Sequence, residues 1–565
     1  MKYDVCVVGS GAGAGPVIYE LSKAGYKVVV LEKGPWLKTE DYTKDEMVAT
    51  RRSVYTPRLQ DECHVLVTKN GAGEWERKST YVTGKDFWNG NVVGGSSNFM
   101  SAYFHRLKPI DFRLKSEFGT IDGANVVDWP ITYEELEPYY TKVESIVGVS
   151  GKVVPHRYLE PRSTTGFPYP PLAENVFSGW LDKGAKELGY ELIPAPRGIL
   201  SQPGQDRNSC FYSNFCGSYG CASDAKGSAR VALINEALKT ENCTIIPNAK
   251  VYHLETDGEG KIIRAHYYNA KGDKLYMEAT LFVVAAQAIE TSRLLLMSKN
   301  PDFPNGLANN SGQVGKNLVF SGGGIGSGQF FFEDLEANDA EKLKERGVFI
   351  NRALQQWYVI EDEQLGGRIK GGTVDFVSEH ANAVTKAVQL KYDSDGKLVY
   401  GSELKERLYN YFTGQRKLKF EIFVDWLPND DCRVELDEEV TDKWGDPVAR
   451  VWLGYHEHDL KVGRYLADKA ENLFRQVGLK NVSSSISGAV SPNLQAGGCR
   501  FGNDPKTSVL NRNCKAHEVQ NLYVTDGSFM PTGGSVTYTF TIYANSFRVA
   551  DVIKRDPLLN SKLYI

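Results

Sequence analysis

The feature that most constrains this chain is a glycine-dense turn between two short apolar runs near its N-terminus. Residues 3–8 lead into Gly-Ser-Gly-Ala-Gly-Ala-Gly at 9–15, residues 16–24 have the apolar spacing of a helix, and the apolar run 28–31 ends at Glu32. The order strand, tight turn, helix, strand and acid is typical of the βαβ unit that binds a dinucleotide. We therefore predict a Rossmann-like α/β domain here, in preference to a purely structural glycine turn.

Each small residue of this turn has its own predicted role. Gly9 permits the turn, Gly11 lets backbone N–H groups approach a pyrophosphate, and Ala14 lets the helix and strand pack closely. The phosphates are expected at the helix N-terminus, where N–H groups lack partners and the helix dipole favours an anion. Glu32 is predicted to accept hydrogen bonds from ribose hydroxyls. Because it disfavours a 2′-phosphate, NAD and FAD are the candidate cofactors.

Length and charge narrow the class of protein further. A chain of 565 residues is too long for one simple core, so two or more lobes are expected. The net charge of −4 gives no basic field for nucleic acid, and no apolar run approaches membrane-spanning length, which argues against direct membrane insertion.

The first strand begins at once, so we expect no signal peptide. The expected compartment is the cytoplasm, or the periplasm if an exported partner carries the chain.

The pattern of runs and turns divides the chain into three parts. Residues 1–300 are predicted to form the dinucleotide-binding domain, with a cover or insertion at 37–90 and a proline-rich, cysteine-containing loop at 151–221. Residues 301–490 hold alternating strand patterns and are predicted to be a mainly β substrate-binding lobe. Residues 491–565 are predicted to return to the first domain and to end in a helix from about 541 to 554.

Two further polar turns are candidate parts of the cofactor site. Gly94, Gly95, Ser96 and Asn98 lie in a glycine–serine turn whose small residues would let backbone donors approach a polar ligand, although a tight turn alone explains them. Asp526 follows an apolar run and is placed to bind a ribityl or phosphate-adjacent hydroxyl. The N-terminus of the last helix could stabilise partial negative charge on a ring carbonyl.

Three cysteines are clustered between residues 210 and 221. Cys210, Cys216 and Cys221 are separated by aromatic and glycine residues, with no nearby histidine to complete a zinc site. Three thiolates can hold an iron–sulfur cluster with one vacant corner. The alternatives are another metal, or free thiols in a packed loop.

Taken together, these motifs resemble the glucose–methanol–choline (GMC) family of FAD-dependent oxidoreductases over most of the chain. The resemblance is carried by the N-terminal turn and by the motifs Val-Gly-Gly-Ser-Ser at 93–97, Asp-Trp-Pro-Ile-Thr-Tyr at 128–133, Ala-Ile-Glu-Thr-Ser-Arg-Leu-Leu-Leu at 288–296 and the block 497–550. Within the family the chain is most similar to the large subunits of bacterial gluconate, glucose and fructose dehydrogenases.

The resemblance implies an FAD domain assembled from separated segments, and a mainly β lobe over the flavin ring. It places Val251 at the adenine and Thr539 in the flavin site, and it implies non-covalent FAD, because Phe99 lies near the histidine that some members link to flavin. It also favours a [3Fe–4S] cluster on Cys210, Cys216 and Cys221. The implied partners are a small subunit and/or a cytochrome that accepts electrons.

The implied reaction is oxidation of a CH–OH group by hydride transfer to flavin, and here the sequence departs from the family. Leu494 occupies the place of the usual catalytic histidine and Thr537 that of its asparagine or histidine partner. A leucine cannot move a proton. Asn493, Thr537 and Tyr538 are the candidate catalytic residues of this block, and a residue of the second lobe is the other source of a base.

Three functions are therefore compatible with the sequence. The first is a flavin dehydrogenase subunit that oxidises a sugar, a sugar acid such as gluconate, or another polyol and passes the electrons to a partner. The second is an FAD-binding subunit with lost or altered activity, because both family catalytic positions are substituted. The third is an NAD-dependent dehydrogenase that uses the same βαβ turn.

Overall fold

A computed structural model describes residues 3–46, 63–83, 87, 89–344, 349–379, 382–486 and 494–560 of the chain. Its strands, in chain order, are β1 (Tyr3–Val8), β2 (Val28–Leu31), β3 (Val65–Lys69), β4 (Trp75–Ser79), β5 (Leu192–Pro194), β6 (Cys243–Ile246), β7 (Lys250–Thr256), β8 (Ile262–Tyr268), β9 (Lys274–Val284), β10 (Val319–Phe320), β11 (Gly324–Phe331), β12 (Arg352–Leu354), β13 (Val359–Asp362), β14 (Gly367–Lys370), β15 (Thr373–Ser378), β16 (Gln415–Phe423), β17 (Cys432–Thr441), β18 (Pro447–Leu453), β19 (Lys480–Ser485), β20 (Gln495–Ala496) and β21 (Leu522–Val524).

The α-helices are α1 (Gly15–Lys23), α2 (Thr80–Thr83), α3 (Leu114–Phe118), α4 (Tyr133–Val143), α5 (Phe177–Glu187), α6 (Asn235–Leu238), α7 (Ala288–Met297), α8 (Ala337–Lys344), α9 (Ala383–Gln389), α10 (Gly401–Thr413), α11 (Glu457–Gln476), α12 (Thr539–Ile553) and α13 (Pro557–Asn560). Shorter helical turns cover Thr39–Asp41, Gly95–Phe99, Pro109–Arg113, Glu144–Gly148, Arg230–Ile234, Phe332–Asp334, Glu363–Leu365 and Gly527–Phe529.

The first domain is built on a parallel sheet with the strand order β6-β2-β1-β9-β21. Val5 on β1 lies opposite Val28 on β2 and opposite Leu281 on β9. These strands are continuous apolar runs because both faces of a parallel sheet are covered, and α1 and α12 pack together on it. The Rossmann-like α/β fold predicted from residues 9–32 is confirmed.

Strand β9 is long enough to belong to two arrangements. Its first half pairs with β8 in the antiparallel meander β7-β8-β9, and its second half pairs with β1 and β21 in the parallel sheet. The parallel half ends at Val284, next to the glycine turn that follows β1. The carboxyl ends of these strands are where ligands bind in open α/β sheets.

The second lobe contains a sheet of six strands in the order β19-β11-β16-β15-β12-β5. Helix α11 covers one face of it, with Val462, Leu466, Ala470 and Leu473 buried in a stripe of helical spacing. On β16, Leu418, Phe420 and Ile422 point into this core, so the residues between them point to the opposite face.

The structure refines the predicted segment boundaries in two places. Within the predicted loop 151–221, α5 packs against α11 and β5 pairs with β12, so this stretch belongs to the second lobe. Within the predicted cover 37–90, β3 pairs with β18 and β4, which joins it to β17 and β18 from the 301–490 segment in a separate four-stranded sheet.

Candidate active site

One continuous cavity of about 790 Å³ runs from the glycine turn after β1 to the open face of the six-stranded sheet. Its volume lies in the range of cofactor and ligand pockets. Its walls include several segments that the sequence singled out: the turn at 9–13, the turn at 95–97, the residues after β9, and the C-terminal block. The residues at its two ends determine what it can hold and what it can do.

The N-terminal end of the cavity depends on residues that have no side chain. A Cβ atom at Gly9, which has a φ of +91°, would lie 2.4 Å from the carbonyl oxygen of Ala285. A Cβ at Gly13 would lie 2.5 Å from Cα of Asp526, and the Gly13 carbonyl accepts hydrogen bonds from the hydroxyls of Thr525 (2.7 Å) and Ser546 (2.6 Å). The turn is thus packed between β9 and the C-terminal block. Gly9 and Gly11 line the cavity, as predicted.

Glu32 lies at the end of β2 and lines the same part of the cavity. One carboxylate oxygen accepts from the Ser10 hydroxyl at 2.5 Å and the other accepts from the Gly34 N–H at 2.8 Å. Burial raises the pKa of Glu32, and these two hydrogen bonds lower it. Each oxygen keeps a further lone pair that could accept from a ribose hydroxyl, and that role of Glu32 stays a prediction.

The second predicted turn lies against the first. Gly95 and Ser96 line the cavity, and a Cβ at Gly95 would lie 2.9 Å from Cα of Gly11. Gly94 and Asn98 lie outside the lining residues: Gly94 has a φ of +94°, and the Asn98 amide donates to the carbonyls of Val93 and Gly95, both at 3.0 Å. Ala14 is likewise buried behind the wall. These three residues shape the cradle from behind.

Val251 and its neighbours line the cavity close to Glu32, where the sequence places the adenine. The adjacent Lys250 has a different role, because its ammonium is paired with Asp442 and with Asp446 at 3.0 Å. This buried cluster connects β7 to the loop between β17 and β18. The adenine contact of Val251 stays a prediction.

Asp526 and Thr539 line the middle of the cavity. The Asp526 carboxylate accepts hydrogen bonds from the Gln287 N–H (3.0 Å), the Thr291 hydroxyl (2.5 Å), and both the N–H and hydroxyl of Ser528. Burial raises its pKa, and these bonds oppose that effect. The side chain therefore joins α7 to the C-terminal block. Thr539 is the first residue of α12 and brings the N-terminus of that helix to the cavity wall; its contact with a flavin stays a prediction.

The far end of the cavity is lined by residues of the second lobe and of the C-terminal block. Leu494 lines it with a φ of +55°, a strained backbone conformation for a leucine. The Thr537 hydroxyl donates to the Tyr103 carbonyl at 2.6 Å, so it is already committed. Tyr538 is buried, and burial together with Asp425 raises its pKa well above 10, so it is a neutral phenol.

These observations argue against Thr537 and Tyr538 as proton acceptors. A committed hydroxyl and a buried neutral phenol are both poor bases near neutral pH. The third candidate, Asn493, lies outside the residues that the structure describes. Sequence reasoning did not find Glu421, a half-buried carboxyl that lines this end of the cavity from β16. Alternation of charged and apolar residues along β16 is the signal that could have found it.

Comparison with known families decides the identity of this arrangement. Two family models described as GMC oxidoreductase match residues 80–320 and 428–546, which together cover most of the chain.

The chain belongs to the GMC oxidoreductases. This confirms the resemblance inferred from the motifs, and it makes the protein an FAD-dependent oxidoreductase of a family that acts on CH–OH groups of alcohols and sugars. The prediction that the βαβ turn serves NAD is thereby set aside.

Similar proteins of known activity span nearly the whole chain. A 2-methyl-1,2-propanediol dehydrogenase of Mycolicibacterium austroafricanum is 29% identical over 98% of this chain and 95% of its own length. The fructose dehydrogenase large subunit of Gluconobacter japonicus is 26% identical over 98% of both chains. Among solved structures, a formate oxidase of Aspergillus oryzae superposes with a TM-score of 0.64 at 14% identity, covering 98% of each chain. That likeness supports the GMC fold.

The residues of this GMC oxidoreductase fit FAD. Gly9, Gly13 and Gly95 line the cavity at positions where a Cβ would collide with neighbouring backbone, and the buried Glu32 carboxylate lines the same part of it. When bound, FAD supplies the two-electron acceptor for the reaction. Phe99 is buried and lines the cavity; its phenyl ring has no atom suited to a covalent link with flavin.

The iron–sulfur prediction is not supported. Within the described ranges, no set of three or more Cys, His, Asp or Glu side chains is arranged to hold a metal ion, and Cys210, Cys216 and Cys221 are free thiols. Burial raises the pKa of Cys210 to about 11. For Cys221 burial acts in the same direction, but the Lys226 ammonium and the hydrogen bonds from Ser223 and Lys226 together outweigh it, so the pKa of that thiol is lowered. The packed-loop alternative is the one that agrees with this geometry.

Among the described residues, no helix is both long and apolar enough to cross a bilayer.

Proposed function

We propose that this GMC oxidoreductase oxidises a CH–OH group of a sugar, a sugar acid or another polyol, with bound FAD as the hydride acceptor. The observation that carries the proposal is that the residues lining the cavity from the second lobe and the C-terminal block include Ser321, Ser485, Glu421 and Thr537, beside apolar residues such as Leu494. Such a wall suits a substrate with several hydroxyl groups better than it suits a hydrocarbon chain. The family relatives that act on fructose and on a diol support the same class.

The chain's own residues would divide the work between the two ends of the cavity. The glycine turns, Glu32 and the N-terminus of α12 would hold and orient FAD, while the six-stranded sheet would hold the substrate. Leu494, Thr537 and Tyr538 in the cavity wall would exclude water from the reacting carbon. This exclusion would protect a developing alkoxide from reprotonation.

The test is anaerobic reduction of the purified yellow protein. Addition of D-fructose, D-gluconate, D-glucose or 2-methyl-1,2-propanediol is expected to bleach the flavin absorbance for at least one of the four. If none of these compounds and no wider panel of polyols bleaches the flavin, the proposal is wrong.

We also propose that the electrons pass on to a partner protein, such as a small subunit or a cytochrome. The support is the similarity to a fructose dehydrogenase large subunit. After bleaching, slow re-oxidation in air and fast re-oxidation by an added one-electron dye are expected. Fast re-oxidation by air would indicate an oxidase instead.

The second candidate function is an FAD-binding subunit with lost or altered activity. Leu494 and Thr537 favour it, because neither supplies the proton acceptor of the family. The two proposals differ in one respect, which is whether another residue of the cavity takes the substrate proton.

A further inference from the structure

The wall formed by β16 contains the one carboxyl that lines the far end of the cavity among the described residues, Glu421. Its neighbours Phe420 and Ile422 point into the core under α11, so Glu421 points away from that core. It is therefore placed where the substrate of the proposed function would lie.

A second carboxyl lies beside it on the neighbouring strand. Asp375 on β15 is directly opposite Glu421 in the antiparallel register. Like charges in this position destabilise a sheet, so the pair is unfavourable unless the two carboxyls have another role. The Asp375 side chain is 1% exposed; its Oδ1 lies 2.9 Å from Nε2 of His105, and its Oδ2 has no hydrogen-bond partner among the described residues. A buried carboxylate oxygen without a partner is costly unless a proton or ligand visits it.

His105 connects this pair to a second, smaller cavity. That cavity of about 40 Å³ is lined by His105 together with Lys108, His156 and Glu160. Lys108 and Glu160 form an ion pair at 2.5 Å, and burial lowers the pKa of His156 to about 4. A polar space of this size holds at least one water molecule.

We propose that Glu421 is the catalytic base of this GMC oxidoreductase, and that Asp375 and His105 relay the proton from Glu421 to the second cavity. The inference rests on the proposed function, because it assigns the proton of the substrate hydroxyl. It gives the chain a base in place of the histidine that Leu494 replaces.

The O–H bond of the substrate breaks and its proton forms an O–H bond on the Glu421 carboxylate, while the C–H bond breaks and its hydride is accepted by bound FAD, which leaves a carbonyl product. The proton then passes from Glu421 to Asp375 and, through His105, to water in the second cavity. Glu421 returns to its carboxylate form.

The charged and titratable groups around Glu421 favour this role. Burial and the Asp375 carboxylate raise its pKa, whereas Lys419 on the same strand and Arg197 lower it. Tyr103, whose pKa is itself raised in part by Glu421, is buried and stacks against His105 with ring centroids 6.4 Å apart. A raised pKa makes the carboxylate a stronger base. Because the carboxylate is the active form, flavin reduction is expected to accelerate as pH rises through this pKa.

The first test is Glu421→Gln, which keeps the shape of the side chain and removes the base. The rate of anaerobic flavin reduction is expected to fall by about 10²- to 10⁴-fold, with FAD content unchanged, and Glu421→Asp is expected to recover part of the rate. The matched control is Glu255→Gln, which removes a carboxylate 2.7 Å from His266 on the outer meander. It is expected to leave the rate unchanged.

The second test does not depend on turnover. Infrared difference spectra between the native protein and Glu421→Gln, recorded across pH, follow the carbonyl band of the protonated Glu421 carboxyl. Asp375→Asn is expected to shift the midpoint of this band to lower pH, because the neighbouring negative charge is gone. It should shift the pH profile of flavin reduction in the same direction, which a purely structural role of Asp375 would not do.

The outcomes separate the two proposals. If the native protein is bleached by a polyol and Glu421→Gln is bleached equally fast, the relay is overturned and the proposed function stands. If Asp375→Asn leaves the infrared midpoint and the pH profile in place, the relay through Asp375 is overturned. If no polyol bleaches the native protein, the proposed function fails and the base has no reaction to serve.

Discussion

The two ends of the cavity are built in different ways. At the cofactor end, backbone atoms and small residues of the turn at 9–13 pack against the second glycine turn, the residues after β9 and the C-terminal block, so closely that Gly9, Gly13 and Gly95 leave no room for a Cβ. At the substrate end, side chains from β15, β16 and the C-terminal block meet, and their chemistry is set by burial and by one another's charge. The first end tolerates almost no change of shape, whereas at the second end Leu494 and Thr537 stand where the family resemblance implies catalytic residues, and we propose Glu421 as the base.

The sharpest test of this difference is Gly13→Ala. The new Cβ would lie 2.5 Å from Cα of Asp526, so we expect a loss of stability of about 3 kcal/mol or more and little bound FAD. Chemical denaturation and the flavin absorbance of the purified protein measure both effects. Gly71→Ala is the control, because nothing lies within 4 Å of its Cβ, and it should stay within about 0.5 kcal/mol of the native protein. Equal behaviour of the two variants would remove the steric argument.

Glu32→Gln tests the one charged contact at the cofactor end. Hydrogen bonds to a charged group contribute about 1.5–3 kcal/mol, so FAD affinity should fall by roughly 10- to 100-fold. Titration of the apoprotein with FAD, followed by flavin fluorescence, gives the dissociation constant. Glu74→Gln, at an exposed turn, is the comparison and should bind FAD normally. An unchanged constant for Glu32→Gln would mean that Glu32 serves only to hold Ser10 and Gly34.

A buried carboxyl in the second lobe should make the free energy of unfolding depend on pH. Asp459, at the start of α11, is 3% exposed, and burial raises its pKa to about 8. The unfolded chain releases this proton near pH 4 and the folded chain near pH 8, so folding stability should fall as pH rises between these values. Asp459→Asn should remove part of that fall and melt later than the native protein at pH 8. Asp468→Asn, exposed on the same helix, should not.

The smallest expected effect is that of restoring the family residues. Leu494→His with Thr537→Asn is expected to change the rate of flavin reduction by less than about tenfold, because the rest of the site now relies on another base. Anaerobic reduction of the double variant by the substrate of the native protein measures this. A large gain in rate would show that the substitutions cost the chain its activity, and would favour the altered-function alternative.

The same contrast explains what the sequence could predict. The N-terminal half of the cofactor cradle is local, so the order of strand, turn, helix and acid within residues 3–32 was enough to predict it, and the closing helix α12 followed from an equally local pattern. Helix α5 was missed because it contains two glycines inside a proline-rich stretch. Helix α11 was missed although its apolar spacing is present in the sequence.

The residues that meet at the substrate end could not be predicted from the sequence, because their meeting depends on contacts between distant segments. The alternation along β16 shows that Glu421 lies on the face opposite the core, but its meeting with Asp375 depends on the pairing of two strands separated by a long insertion that contains α9 and α10. Sequence separation of that length leaves register undetermined without the structure. The same holds for His105, which comes from the first domain.

The carbonyl of Gly13 has a consequence for the order in which the protein matures. It accepts hydrogen bonds from hydroxyls that lie 512 and 533 positions later in the chain. During synthesis, the first strand and its turn leave the ribosome long before the segment that completes them. A nascent or truncated chain therefore contains only the N-terminal part of the cofactor site. Retention of the yellow cofactor indicates that synthesis has reached α12 and that the C-terminal block has packed against the glycine turn.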